Sequence, residues 1–335
     1  MLKKLFMGNA ASLPKWVCVG HSDPMSQVRI NFNTRRPLDP ASTSLHNRDV
    51  TKNNIVIELR PQIVGFMFSP EEHALIEAHP DAFFLSLHDP GHTRQPGFCI
   101  GEIGLRYNGF KAVGDRVFVM FITTFCRNHC LHPLRIMGHF FYERVFLLFE
   151  NDPHNYHKMK PKYLFNNWLI YSLPRAVALV SFDDGENTNM FPMDLIGVTD
   201  SPYFILSLTT IYPSTPYIKR CGKLAVSYVP LAILDTVYAM GKNNKRVCVP
   251  RDEMLVSTRL SPLYSIPVPE EAIYIREVEI VDSFEIGFHT IFVATTMNFE
   301  RYTEEMHFCH VQRIYQRYLM DQARGLPYRV RQYKR

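Results

Sequence analysis

Five short apolar segments in the second half of the chain constrain its fold more than any other feature. Residues 176–182, 203–209, 224–229, 272–282 and 290–297 each read as a strand, at the intervals a closed antiparallel barrel uses. Between them only 231–240 reads as a short helix. The first half is also strand-rich, with candidates at 55–59, 82–87, 99–107, 116–125 and 144–149 separated by Gly, Pro and His-rich turns. Ser69-Pro-Glu-Glu opens a helix that runs to about Ala78. Serine caps the free N–H groups, proline takes the first helical position, and two carboxylates meet the positive end of the dipole. Residues 303–324 have helical composition, with a stripe of Met306, Cys309, Ile314 and Leu319 ended by Gly325 and Pro327. No internal repeat is visible.

A polar joint at 151–162, Asn-Asp-Pro-His-Asn-Tyr-His-Lys-Met-Lys-Pro-Lys, divides the 335 residues. The expected layout is an N-terminal α+β domain at 1–150, a linker at 151–162, a barrel at 163–302, and a C-terminal helix with a basic tail at 303–335. The fold class is therefore mainly β with α+β elaboration. An apolar fraction of 46% excludes a disordered chain. The net charge of +5 is too mild for a nucleic-acid specialist, and the Arg329, Arg331, Lys334, Arg335 cluster reads as a solvated end. Seven cysteines without regular spacing read as reduced thiols, which points to the cytoplasm. The apolar run 117–125 falls well short of the ~20 residues a bilayer span needs, and no signal-peptide run follows Met1. A soluble, cytoplasmic protein is expected, with neither nucleic acid nor membrane as partner.

In the second half the order of elements reads as chemistry. Leu173-Pro-Arg-Ala-Val-Ala-Leu-Val-Ser-Phe is a turn feeding a buried strand, and Asp183-Asp-Gly-Glu is a hairpin turn. Asn187-Thr-Asn-Met-Phe-Pro-Met-Asp begins the return. A strand ending in Ser207-Leu-Thr-Thr follows, then a helix opened by Ser214-Thr215, a stop at Gly222, and Lys-Leu-Ala-Val-Ser. Glu271-Ala-Ile-Tyr-Ile-Arg-Glu-Val-Glu-Ile-Val-Asp and Gly287-Phe-His-Thr-Ile-Phe-Val close the series. In this order, over about 165–300, the chain resembles the flavin reductase-like family, whose fold is the FMN-binding split antiparallel β-barrel.

The resemblance implies a flavin-dependent oxidoreductase that transfers hydride from NADH or NADPH to FMN, with FAD as the alternative. It also implies a homodimer with sites at its interface. A flavin phosphate needs several donors at close range, which a helix N-terminus with hydroxyls can offer. Ser214 and Thr215 are candidates, with Ser207, Thr209 and Thr210 just before them and Lys219 or Arg220 adding charge. The ring needs a flat apolar slot with polar groups along one edge, which Asn189 and the stretch from Met190 to Ile196, including Asp194, can line. Pro192 departs from the family pattern by removing a backbone donor where members carry hydroxyls. His289 is the candidate to position a hydride donor, with a structural role as the alternative.

Two rival readings stay open: an FMN-binding protein without reductase activity, and an enzyme whose N-terminal half does separate chemistry fed by the flavin domain. Under the second, deleting residues 1–150 leaves reductase activity intact. Cys126, His129, Cys130 and His132 invite a metal, but their spacing does not fit two separated ligand pairs, so none is expected. His88, Asp89, His92 and Cys99 lack a nucleophile elbow. His307 and His310, with Glu304 and Glu305, read as polar positions on the terminal helix.

Overall fold

The computed structural model describes residues 16–21, 28–35, 45–59, 61–92, 94–149, 160–199, 202–305, 307–322 and 329–332. It is mainly β, as expected. The first half runs β1 (Trp16–His21), β2 (Arg29–Thr34), β3 (Arg48–Asp49), β4 (Ile55–Leu59), β5 (Gln62–Phe68), helix α1 (Pro70–Ala78), β6 (Phe83–Asp89), β7 (Phe98–Val113) and β8 (Arg116–Asn128). Helices α2 (Pro133–Phe149) and α3 (Pro161–Ile170) follow. The second half runs β9 (Arg175–Ala176), β10 (Ala178–Asp183), β11 (Thr188–Met193), β12 (Ile196–Val198), β13 (Tyr203–Thr209), α4 (Ser214–Cys221), β14 (Lys223–Tyr228) and α5 (Leu234–Ala239). After it come β15 (Thr258–Leu260), β16 (Pro267–Pro269), β17 (Tyr274–Ile286), β18 (His289–Arg301), β19 (His307–Gln312), α6 (Arg313–Asp321) and β20 (Arg329–Gln332).

Two seven-stranded antiparallel sheets dominate, ordered β3-β2-β6-β7-β8-β5-β4 and β11-β10-β14-β17-β18-β13-β12. Numbered in chain order within each sheet, both run second, first, fifth, sixth, seventh, fourth, third. Both also place a helix, α1 or α4, between the fourth and fifth strands. The expectation of no internal repeat is thus corrected: the fold repeats although the residues do not.

Register gives the correspondence residue by residue. The sixth and seventh strands join through two-residue turns, Gly114-Asp115 and Gly287-Phe288, flanked by the pairs Val113↔Arg116 and Ile286↔His289. Both glycines sit at positive φ, +58° and +57°, which a residue with a Cβ adopts only with strain. Counting back from these turns, Lys111 (opposite Phe118) corresponds to Phe284 (opposite Ile291). Likewise Ile55, opposite Gly65, corresponds to Gly197, opposite Ile205.

Corresponding residues meet. Lys111 Nζ lies 5.9 Å from the Phe284 ring centroid, and a Cβ on Gly197 would stand 3.7 Å from Ile55 Cβ. Self-contact of equivalent positions is the mark of a two-fold relation. The halves share one apolar interface, in which Ile55, Ile57, Met67, Phe118 and Met120 pack with Ile205, Ile291 and Val293.

The flanks tie the halves further. Strands β20, β1, β19 and β9 form a four-stranded sheet that joins both chain ends to Arg175–Ala176. Leu164, Trp168 and Leu169 of α3, with Ile314, Tyr315, Tyr318 and Leu319 of α6, enter the core of the first sheet.

Local expectations held where capping or alternation was strong. Ser69 caps α1 by accepting from Glu72 N, while Glu72 Oε2 accepts from Ser69 N at 2.9 Å. Two expectations are corrected. Residues 144–149 belong to helix α2, and 307–312 form strand β19 rather than the start of the terminal helix. An apolar run without clear alternation suits either state, and pairing of β19 with β1 settles the second case. Most of the 151–162 joint lies outside the described residues, while Pro161 and Lys162 open α3.

Candidate functional site

The end of β13, the start of α4 and the tip of the β17–β18 hairpin converge on one place. Thr209 pairs with His289 in the sheet, and Thr210 N donates to Phe288 O at 2.9 Å. The Thr210 and Thr290 hydroxyls lie 3.0 Å apart, and Thr215 Oγ1 donates to Thr209 O at 2.9 Å. Across the interface, Glu58 of β4 reaches the same tip. Its Oε2 accepts from Phe288 N at 2.9 Å and stands 2.8 Å from His289 Nδ1, while Oε1 accepts from Leu59 N. Only 2% of the Glu58 side chain and 13% of His289 are exposed. A carboxylate in that position fixes which imidazole nitrogen carries the proton. A Cβ on Gly287 would come within 2.8 Å of Glu58 Oε2, so glycine is required here for the close approach as well as for the turn.

Helix α4 does not begin as expected. Its N-cap is Pro213, with no side-chain cap. Ser214 is the first helical residue, and its hydroxyl donates to Asn244 O at 3.0 Å instead of serving the helix end. No acidic residue lies in the first turn, while Lys219 and Arg220 occupy the last. Lys219 is exposed. Asn244 Oδ1, beside this turn, is a buried acceptor without a hydrogen-bond partner.

The other predicted residues point elsewhere. Asn189 is fully buried: Nδ2 donates to Asn243 O and Arg246 O, both at 3.0 Å, and Oδ1 accepts from Met190 N. Its side chain anchors the 243–246 segment to β11. Met190 lies wholly inside an apolar cluster. Ser207 Oγ donates to Ile57 O at 2.6 Å, a bond between the two halves.

Asp194 Oδ2 stands 2.9 Å from His310 Nδ1, and Tyr238 OH bonds the other ring nitrogen of His310. Desolvation pushes the Asp194 carboxyl up, but the His310 bond, with the His310 and Arg175 charges, outweighs it and holds the group below its usual value. His310 thus works from a strand, not from the terminal helix.

In the cysteine–histidine cluster the two cysteines are built into the packing, while His129 and His132 are exposed. Cys126 Sγ donates to Phe165 O and Cys130 Sγ to Ile100 O, and burial pushes the Cys126 thiol up to about 12. Among the described residues no group of three His, Cys, Asp or Glu side chains is arranged to hold a metal, and no helix is long and apolar enough to cross a membrane.

Sequence reasoning missed Glu58, Thr290 and Asn244. Glu58 carried a signal: it is the lone charge in Ile-Val-Ile-Glu-Leu, and a buried charge needs partners. Those partners lie 230 and 231 residues away, where no spacing rule reaches.

No protein-family model matches the chain, and no curated protein matches it. Solved structures do, and those found are consistently FMN-binding and flavin reductase proteins. An FMN-binding protein from Thermus thermophilus with bound 1-cyclohex-2-enone is 21% identical, over 38% of this chain and 71% of its own, at a TM-score of 0.35. The NADH:FAD oxidoreductase SgcE6 from Streptomyces globisporus C-1027 is 15% identical, over 55% and 96%, at 0.41. Flavoredoxin from Methanosarcina acetivorans is 18% identical, over 41% and 73%, at 0.35.

Proposed function

We propose that the protein binds FMN beside the start of α4 and transfers hydride to it from NADH or NADPH. The observation that carries this reading is the convergence of Thr209, Thr210, Thr215, Thr290 and His289 at a helix end with no side-chain cap and no first-turn carboxylate. Such a cluster offers a phosphate monoester O–H donors at a helix start whose first turn holds no carboxylate. The sequence series around it resembles the flavin reductase-like family in the same order. Asn244 Oδ1 adds an unpaired acceptor suited to a ribityl hydroxyl.

When bound, the flavin supplies the two-electron carrier, and the protein contributes binding, orientation and electrostatics. The Thr210 and Thr290 hydroxyls, with the Ser214 N–H at the start of α4, would hold the phosphate, and Lys219 would add charge. Glu58 orients the His289 ring through Nδ1, and His289 would position the nicotinamide beside the flavin. Asn189, Met190, Ser207 and the Ser214 hydroxyl support this site through their bonds and packing within the protein. Asp194 serves the separate His310 pair.

The test is visible absorbance and NAD(P)H consumption of the purified full chain. Retained yellow FMN with NAD(P)H oxidation is expected. A colourless protein that neither retains added FMN nor oxidises NAD(P)H would defeat the reading. FMN retention without oxidation would leave a flavin-binding protein and remove the reductase activity.

A further inference from the structure

The two-fold relation between the halves carries a consequence for stoichiometry. Each half has a helix between its fourth and fifth strands, and the two helix starts are equivalent positions that differ in chemistry. At α1 the Ser69 hydroxyl accepts from Glu72 N and the Glu72 carboxylate accepts from Ser69 N, so the capping box is closed. Glu71 and Glu72 fill the first turn with two carboxylates, and Arg48, the nearby cation, is paired with Glu72. An incoming phosphate would meet occupied donors and two like charges. At α4 the Thr215 N–H is likewise taken, by Tyr212 O, and Pro216 has none, but the first turn has no carboxylate and the Thr210 and Thr290 hydroxyls cluster at its mouth, so the two starts differ in charge.

The hairpin tips are equally unequal. Gly287 of the second half rests on the Glu58 carboxylate, so that Glu58 reaches His289. Gly114, its counterpart, rests on the Tyr203 hydroxyl, and the residue corresponding to His289 is Arg116. One half therefore lends a carboxylate to the other and receives none in that place.

We infer that the N-terminal half is a built-in partner unit that takes up no flavin. It closes its own equivalent position and contributes Glu58 to the site of the C-terminal half, so one chain binds one FMN without needing a second copy. This rests on the flavin reading above.

The test is titration of the full chain with FMN, read by flavin fluorescence quenching, together with sedimentation equilibrium. One FMN per monomeric chain is expected. Two per chain, or one per two chains, would overturn the inference while leaving flavin binding intact. No uptake at all would remove the flavin reading and this inference with it. A second arm locates the site. Thr210→Val is expected to weaken FMN binding on the order of 10-fold, the loss of one net hydrogen bond. Glu71→Gln, at the closed position, is expected to leave binding unchanged. Full-affinity FMN uptake that survives Thr210→Val would sink the assignment to the C-terminal half.

Discussion

Two buried carboxylates show how single residues organise this molecule. Glu58 accepts from the backbone of Leu59 and Phe288 and faces His289. Replacing it by alanine strands those N–H groups, and Glu58→Ala should lower stability by about 2 kcal/mol, measurable by urea unfolding. A change within ±0.5 kcal/mol would contradict its bridging role. Glu277, fully buried, accepts from Ser261 Oγ at 2.6 Å, Tyr264 N at 2.8 Å, Asn298 Nδ2 at 2.9 Å and Leu263 N at 3.0 Å. Desolvation pushes its carboxyl up, yet these donors win and hold it below the usual glutamate value. A group whose folded pKa is depressed stabilises the protein above its unfolded pKa, and that contribution fades as pH falls through the folded value. Glu277→Gln should therefore melt well below the wild type at pH 7, with the gap narrowing toward pH 3. A gap independent of pH would show that the charge is immaterial.

Elements were legible where a local rule has one solution. Ser69-Pro-Glu-Glu specifies a helix start through its own hydrogen bonds, and Ser69→Ala should cost about 1 kcal/mol in thermal or chemical unfolding. No measurable loss would mean that tertiary packing alone holds α1. Strands 55–59 and 203–209 coincide with β4 and β13 because their turn-bounded, β-prone residues admit little else. Residues 144–149 did not, since Val-Phe-Leu-Leu-Phe carries no period and the start at Pro133 lay eleven residues upstream. Residues 307–312, read as part of a longer helical stretch, gain their backbone partners from β1, nearly the whole chain away.

At the scale of the whole molecule, the chain holds two copies of one sheet topology facing each other across a shared apolar interface. The sequence suggests a severable N-terminal domain, whereas the shared core argues that neither half stands alone. A chain beginning at residue 160 would bare Ile205, Ile291 and Val293, together with Trp168 and the α6 residues that now enter the first sheet's core. Exposed apolar surface of that kind drives association, so the fragment should aggregate or self-pair on size exclusion with light scattering. A monodisperse, cooperatively folded monomer would refute the shared-core view.

What the sequence determined by itself was local: the strand-rich class, the cap of α1, the hairpin turns, and the ordered series around Thr209, Ser214 and His289. Apart from the series, which is read as an order of motifs over about 165–300, each follows from residues within one turn or one strand of each other. Only the tertiary structure decided that Asn189, Ser207 and Ser214 turn their side chains inward, that His289 answers to Glu58, and that the first half repeats the second. The repeat was invisible because sheet topology depends on which strands pair, while Lys111 opposite Phe284 and Ile55 opposite Gly197 show how freely residues at equivalent positions differ.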